Sequence, residues 1–191
     1  MENFNWEGLV FSDEVRFGFH HDGRILIWRG KGQRHNPSCV DLKVKSRQSL
    51  MFWGCVTYNG TGPLFECSNN MNSQKYFQIL YFANIATLSD FGLLFQQDNA
   101  PIHKSQITTS WLIDKDVECI QWPPNSPDLN IIENIWSHIK RRLARQSTHN
   151  LSDLRTAVFS EWSQISIKLV QNLYDSIPKR IKECKRKRGH I

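Results

Sequence analysis

Three acidic residues, far apart in the chain, have the types and settings that metal-assisted phosphoryl chemistry needs. Asp98 follows the apolar run Phe91-Gly92-Leu93-Leu94-Phe95, which reads as a buried strand. An acid at the C-terminal end of such a strand opens into the crevice where α/β sheets usually bind ligands. Asp13 lies in Val10-Phe11-Ser12-Asp13-Glu14, and Glu133 in Asn130-Ile131-Ile132-Glu133-Asn134-Ile135-Trp136. Carboxylate oxygens suit Mg²⁺, which keeps part of its water shell. Two such ions about 3.5–4 Å apart can attend the attacking and departing oxygens of a phosphodiester. The reading is that Asp13, Asp98 and Glu133 hold divalent metal for phosphoryl transfer on DNA.

The elements that must position these acids follow from periodicity. Residues 9–19 alternate as a long strand, with Asp13 on the parity of Val15, Phe17 and Phe19, so its side chain points with the buried set. A buried acid requires a metal or a cation; a salt bridge to Arg16 or another basic group is the alternative. His21-Asp22-Gly23-Arg24 reads as a turn and residues 25–28 as a returning strand. Residues 29–47 form a basic loop carrying Arg29, Lys31, Arg34, Lys43, Lys45 and Arg47, long enough to suggest a function such as embracing DNA phosphates. Residues 49–58 read as a central strand, 59–63 as a hairpin turn, 64–67 as the return, and 72–88 as a helix capped by Asn72 or Ser73. A strand at 91–97, a helix at 103–113 and a short strand at 117–121 make a parallel β-α-β unit.

Asn125-Ser126-Pro127-Asp128 then opens a helix. Its stripe is Leu129, Ile132, Trp136, Ile139 and Leu143. Glu133 falls roughly 80° from the middle of that stripe, at the edge of the packed face. Residues 151–163 and 166–187 read as two more helices. Asp128 reads as a helix-start residue, and Trp122 and Trp136 as core.

At 191 residues the chain fits one domain with a sizeable core. No apolar run approaches a membrane span and no signal peptide is visible, so a soluble, intracellular protein is expected. Five cysteines, Cys39, Cys55, Cys67, Cys119 and Cys184, form no C-x-x-C pair and read as reduced thiols. The net charge of +6 is uneven: from Lys179 to Ile191 there are seven Lys or Arg against one Glu. Lys140, Arg141 and Arg142 form a further cluster. Basic patches around an acidic pocket suit a protein that holds a polyanion around a metal centre. No P-loop, nucleophile elbow or His-Glu-x-x-His zinc motif occurs.

Several phrases, in order, resemble the catalytic blocks of mariner-type (Tc-one/mariner superfamily) transposases. They are Phe11-Ser12-Asp13-Glu14, Gln97-Asp98-Asn99-Ala100-Pro101 with His103, and Trp122-Pro123 with Ser126-Pro127-Asp128-Leu129-Asn130 and Ile132-Glu133-Asn134-Ile135-Trp136. Met51-Phe52-Trp53-Gly54-Cys55 with Gly62-Pro63-Leu64, and Ser176-Ile177-Pro178-Lys179-Arg180-Ile181, extend the likeness over nearly the whole chain. The resemblance implies an α/β, ribonuclease-H-like fold: a mixed five-stranded sheet, three antiparallel strands then parallel additions, flanked by helices and followed by C-terminal helices. It implies a single D-D-E catalytic domain over residues 1–191, with the triad Asp13, Asp98 and Glu133. The 34 residues between Asp98 and Glu133 match the spacing of the Tc-one branch. Asn99 and His103 match positions beside the second acid, where they would steady it or contact phosphate; local hydrogen bonding is the equal alternative.

The implied activity is cut-and-paste transposition on two Mg²⁺ ions, with Mn²⁺ as substitute. Asp13 would bridge the ions while Asp98 and Glu133 each hold one. Water would cut the transposon ends, and the freed 3′-hydroxyl would attack a TA target in double-stranded DNA. A homodimer in a DNA complex and a nuclear location are also implied; Lys185-Arg186-Lys187-Arg188 reads as a nuclear-import signal, a phosphate clamp or an ordinary charged helix end. Two departures stand out: the family's N-terminal helix-turn-helix modules are absent here, and the chain stops at Ile191 without a terminal Tyr. A truncated or host-adopted DNA-binding protein that keeps the fold is one rival reading. A ribonuclease-H-type nuclease acting on RNA–DNA hybrids is another.

Overall fold

The computed structural model describes residues 4–18, 49–124 and 126–186. The predicted turn and strand at 21–28, the basic loop 29–47, and residues 187–191 lie outside them. Strand β1 (Leu9–Gly18) occupies an interior position in a four-stranded sheet of order β3-β2-β1-β4. It runs antiparallel to β2 (Ser49–Thr57), which pairs with β3 (Gly60–Cys67), and parallel to β4 (Leu94–Gln96).

The sequence led us to expect five strands. Residues 117–121 instead contribute one parallel bridge, Cys119 to Phe95, because β4 is only three residues long and offers no longer edge. The expected strand at 91–97 is trimmed by a 3₁₀ turn over Ile85–Phe91 that ends on Gly92 at φ 62°, a conformation glycine adopts without strain. The same turn shortens the helix expected at 72–88. Helix α1 spans Ser73–Phe82, capped by Asn72, and Asn84 in the left-handed region breaks it. The hairpin turn is tighter than expected, with Thr57 paired to Gly60. Pro63, which cannot donate to a ladder, sits instead where β2 and β3 slip register between Gly54 and Val56, as prolines in sheets do at bulges.

Strand alternation sends side chains to two cores. Leu9, Phe11, Val15 and Phe17 pack with α3 (Ile132–Leu143), α4 (Leu151–Ser163) and α5 (Ile167–Arg186). Val10 and Phe95 pack on the other face with α1 and α2 (Gln106–Asp114). The sheet is thus the middle of three layers, and Asp13 shares the face of the first core. Tyr174 of α5 fastens that layer by donating to the carbonyls of Leu9 (2.7 Å) and Val56 (3.1 Å). None of the helices among the described residues is long and apolar enough to cross a membrane.

Directly opposite Asp13 on β2 is Gly54. A Cβ there would lie 2.9 Å from Trp136 and 3.0 Å from Trp162, whose rings stack at 4.9 Å. Gly54 is therefore the gap into which the two indoles fit, and Trp162 ties α4 to the bulge by donating to the Gly62 carbonyl at 3.0 Å. Gly54→Ala should overpack this layer and destabilise the fold by about 1–3 kcal/mol, read as a lower urea midpoint at unchanged slope.

Candidate active site

The site is built where β1, the end of β4 and the start of α3 meet. In the parallel ladder the last pair is Phe11 with Gln96, and Asp13 and Asp98 each lie two residues beyond it. The chain turns away after Gln96, so Asp98 sits on the exposed loop past the strand, as an acid at a strand's C-terminal end should. Its Oδ1 accepts from the Ala100 amide (2.8 Å) and contacts His103 Nδ1 at 2.6 Å. Both contacts use one oxygen and leave Oδ2 for a further ligand. The His103 bond, opposed by partial burial, holds the Asp98 carboxyl below the usual carboxylate range.

Glu133 lies half-buried in the first turn of α3, where the positive end of the helix dipole favours a carboxylate. The helix expected to open at 125–128 begins later: Pro127–Leu129 forms a separate 3₁₀ turn, and α3 starts at Ile132. Buried Asn130 joins the two pieces. Its Nδ2 donates to the Ser12 carbonyl (3.3 Å), its Oδ1 accepts from the Ile132 amide (3.4 Å), and its carbonyl accepts from the Glu133 amide (3.2 Å). One side chain thus fixes the helix start against the strand residue next to Asp13. Sequence reasoning missed Asn130, although an amide side chain just before a helix was the available signal.

Asp13 is the electrostatically unusual member. Burial, then repulsion from Glu133 and Glu14, pushes its carboxyl up to about 8, against the smaller effects of the Glu14 amide and Trp136. Trp136 Nε1 donates to Asp13 Oδ2 at 3.2 Å, so this core tryptophan also orients the acid. The salt bridge to Arg16 does not form; Arg16 donates to Asn69 Oδ1 (2.7 Å) and Ser49 Oγ (3.3 Å) on the other side of the strand. No basic side chain among the described residues offsets the charge of Asp13.

Asp13 and Glu133 are thus close enough to repel, whereas the Asp98 carboxylate is engaged by His103. Among the described residues no three His, Cys, Asp or Glu side chains form a ready-made ion cage. His103 is buried, and its Nε2 lies 3.2 Å from Glu14 Oε1. Burial works against its charge, but the bonds to Asp98 and Glu14 outweigh it and raise the imidazole to about 9. Glu14 was not singled out from the sequence; the signal was its opposite parity to Asp13. Asn99 takes the local hydrogen-bonding role, its Nδ2 donating to the Trp122 carbonyl at 2.8 Å and pinning the loop to the neighbouring segment.

An open groove of about 380 Å³ borders the site, lined by Asp128, Glu133, Asn134, Ser137, Arg180 and Glu183. Arg180 Nη1 donates to the Asp128 carbonyl at 2.9 Å, joining α5 to the turn before Glu133. Asn134 and Ser137 also line a second groove, with Lys140 and Arg141 beyond them. The third residue of that basic cluster is committed elsewhere: Arg142 Nε is paired with buried Glu161, and its Nη2 donates to Gln164 Oε1 at 3.0 Å. Arg29, Lys31, Arg34, Lys43, Lys45 and Arg47 lie outside the described residues.

Known proteins resemble this chain in sequence and in fold. The family model of the DDE superfamily endonucleases matches residues 8–155. The transposable element Tc1 transposase of Caenorhabditis elegans is 33% identical over 184 residues, covering 92% of this chain and 66% of its own length. The Tc3 transposase of the same organism is 31% identical over 192 residues, covering 97% and 58%. The chain thus spans about two thirds or less of these relatives. Among solved structures, the catalytic domain of Mos1 transposase bound to Raltegravir and Mn superposes with a TM-score of 0.74 at 15% identity, over 98% of this chain and 86% of that one. A pre-cleavage Mos1 transpososome gives 0.79 at 16% identity, over 97% and 57%. The sheet between helical layers is therefore the fold of that catalytic domain, as the resemblance implied. By its sequence match and its fold together, the chain belongs to the DDE superfamily endonucleases, among the Tc1/mariner transposases.

Proposed function

We propose that this chain is the catalytic domain of a DNA transposase, performing divalent-metal-dependent strand cleavage and strand transfer. Asp13, Asp98 and Glu133 are the residues that would hold the cations, two Mg²⁺ ions with Mn²⁺ as substitute. The observation that carries this reading is Asp13: a partly buried carboxyl raised to about 8, repelled by Glu133 and Glu14, with no basic side chain among the described residues to neutralise it. A hard-oxygen donor set of this kind fits a divalent cation. Bound there, the cations would supply charge neutralisation at the phosphate and a more acidic water.

The chain's own residues would prepare that step. Trp136 orients one oxygen of Asp13, Asn130 fixes the start of α3 under Glu133, and His103 with the Ala100 amide holds Asp98 by Oδ1. Lys140 and Arg141 at the far end of the adjoining groove would take phosphates of double-stranded DNA. Transposon ends and a TA target as substrates, a homodimer in the DNA complex, and action in the nucleus complete the proposal. They are supported by relatives that are transposable-element transposases and by fold neighbours that include Mos1 paired-end and strand-transfer complexes.

Purified chain should nick supercoiled plasmid with Mg²⁺ or Mn²⁺ and prefer duplex DNA to an RNA–DNA hybrid. Asp98→Asn, folded by circular dichroism, should lose more than the roughly 10–100-fold typical of supporting residues. A wild type inert with both metals would favour the fold-retaining DNA-binding reading, and preference for hybrid would favour the ribonuclease reading.

A second prediction follows from linkage. The folded Asp13 carboxyl titrates near 8 against an ordinary value of 3.8, so its contribution to stability is complete below the ordinary value and fades as pH rises toward 8. Asp13→Asn should flatten that part of the metal-free stability profile between pH 5 and pH 8, with a difference on the order of 10 °C in Tm. Mg²⁺ should stabilise the wild type at pH 8, with proton release, and stabilise Asp13→Asn far less.

A further inference from the structure

We infer that Glu14 is a positioning residue that, through His103, sets the placement of Asp98 relative to Asp13. The inference rests on the proposed metal triad and adds a residue that acts on it from the opposite face of the sheet.

The need for such a device comes from the ladder between β1 and β4. It comprises only Leu9, Val10 and Phe11 paired with Leu94, Phe95 and Gln96, and so ends two residues short of both acids. Backbone pairing cannot set their separation there. Ser12 extends the connection by one step, its Oγ donating to the Gln96 carbonyl at 2.8 Å and its amide to Gln96 Oε1 at 3.3 Å. Beyond that point the chains part, and the tie is the bridge from Glu14 Oε1 to His103 Nε2 (3.2 Å) and from His103 Nδ1 to Asp98 Oδ1 (2.6 Å).

The bridge has the features of a fixed strut. His103 is 3% exposed and Glu14 14%, against 55% for Asp98, so the support is sheltered while the supported acid faces solvent. Tyr76 of α1, fully buried, packs its ring 4.1 Å from the imidazole and donates through its hydroxyl to Gln97 Oε1 at 2.7 Å. The imidazole is thus held on its face as well as at both nitrogens. Because neighbouring residues of a strand point to opposite faces, Asp13 enters the site from one side while Glu14 braces Asp98 from the other. One dipeptide therefore supplies the first acid and locates the second.

The test compares Glu14→Ala with Glu14→Gln, whose amide oxygen can still accept from Nε2–H, in the full 191-residue chain. Glu14→Ser replaces the alanine variant if that one does not fold. In metal-free protein at one fixed pH, the His103 ring N–H signal seen by ¹H–¹⁵N NMR should persist in the wild type and in Glu14→Gln, and be lost by exchange in Glu14→Ala. Calorimetric titration with Mn²⁺ should show affinity falling about 10–100-fold in Glu14→Ala and recovering to within about 3-fold of wild type in Glu14→Gln. Plasmid cleavage should fall in kcat with KM for DNA unchanged. Glu14→Ala with wild-type ring signals, or with wild-type Mn²⁺ affinity and kcat, would overturn the inference. A wild type that neither binds Mn²⁺ nor cleaves DNA would overturn the proposed function instead, and the ring signals would still decide whether Glu14 fixes His103.

Discussion

A carboxylate on the interior side of a sheet strand costs free energy unless something positive completes it, and the rest of this structure is arranged around that constraint at Asp13. Among the described residues, the charged neighbours that act on it are acids, Glu133 and Glu14, and its side-chain hydrogen-bond donor is the neutral Trp136 indole. In isolation the carboxyl keeps its proton to about pH 8. In the proposed function, a group so placed would give up its proton to a bound cation. Raised acids of this kind concentrate at functional sites, and here the fold's own helix start and indole do the holding.

The packing explains how such a site stays in place. On the Asp13 side, Trp136 and Trp162 stack over Gly54, the residue opposite the acid. A side chain at position 54 would displace the indole that donates to Asp13, so the close packing of this core and the orientation of the acid are one arrangement. The apolar cluster beneath, including Phe11, Phe17, Ile135 and Ile139, supplies the burial that makes the position rigid. On the other face, His103 and Tyr76 occupy a second core whose apolar members include Val10 and Phe95. Each acid of the proposed triad is thus braced by a different element: Asp13 by α3, Asp98 by the loop leading to α2, and Glu133 by the Asn130 junction.

The basic residues divide by role. Arg142 and Arg155 serve the scaffold, one paired with buried Glu161 and the other with Glu66 of β3. Arg180 links α5 to the Asp128 carbonyl at the mouth of the groove that holds Glu133. Lys140 and Arg141 border open space on the same face of α3. A charge count sees one basic cluster at 140–142. Only the packed helices show that one member of that cluster, Arg142, is committed to a buried acid.

Much of the placement of the three acids was readable from the sequence, because periodicity is a local property. Alternation along 9–19 put Asp13 with the buried side chains, the apolar run before Asp98 put it past a strand, and helical spacing put Glu133 at the edge of a packed stripe. These are consequences of strand and helix geometry that need no partner. Element ends were less legible: α1 stops at Phe82 and α3 starts at Ile132 because Asn84 and Asn130 adopt particular backbone and hydrogen-bond arrangements. What only the tertiary structure decided is which distant groups meet. The Glu14–His103 contact spans 89 positions and the Asn130–Ser12 contact 118. The engagement of Asp98 by His103, the rejection of Arg16 as a partner for Asp13 and the withdrawal of Arg142 into an ion pair follow from three layers packing at fixed distances. A linear pattern fixes which face a residue takes; the partner on that face is chosen by the rest of the fold.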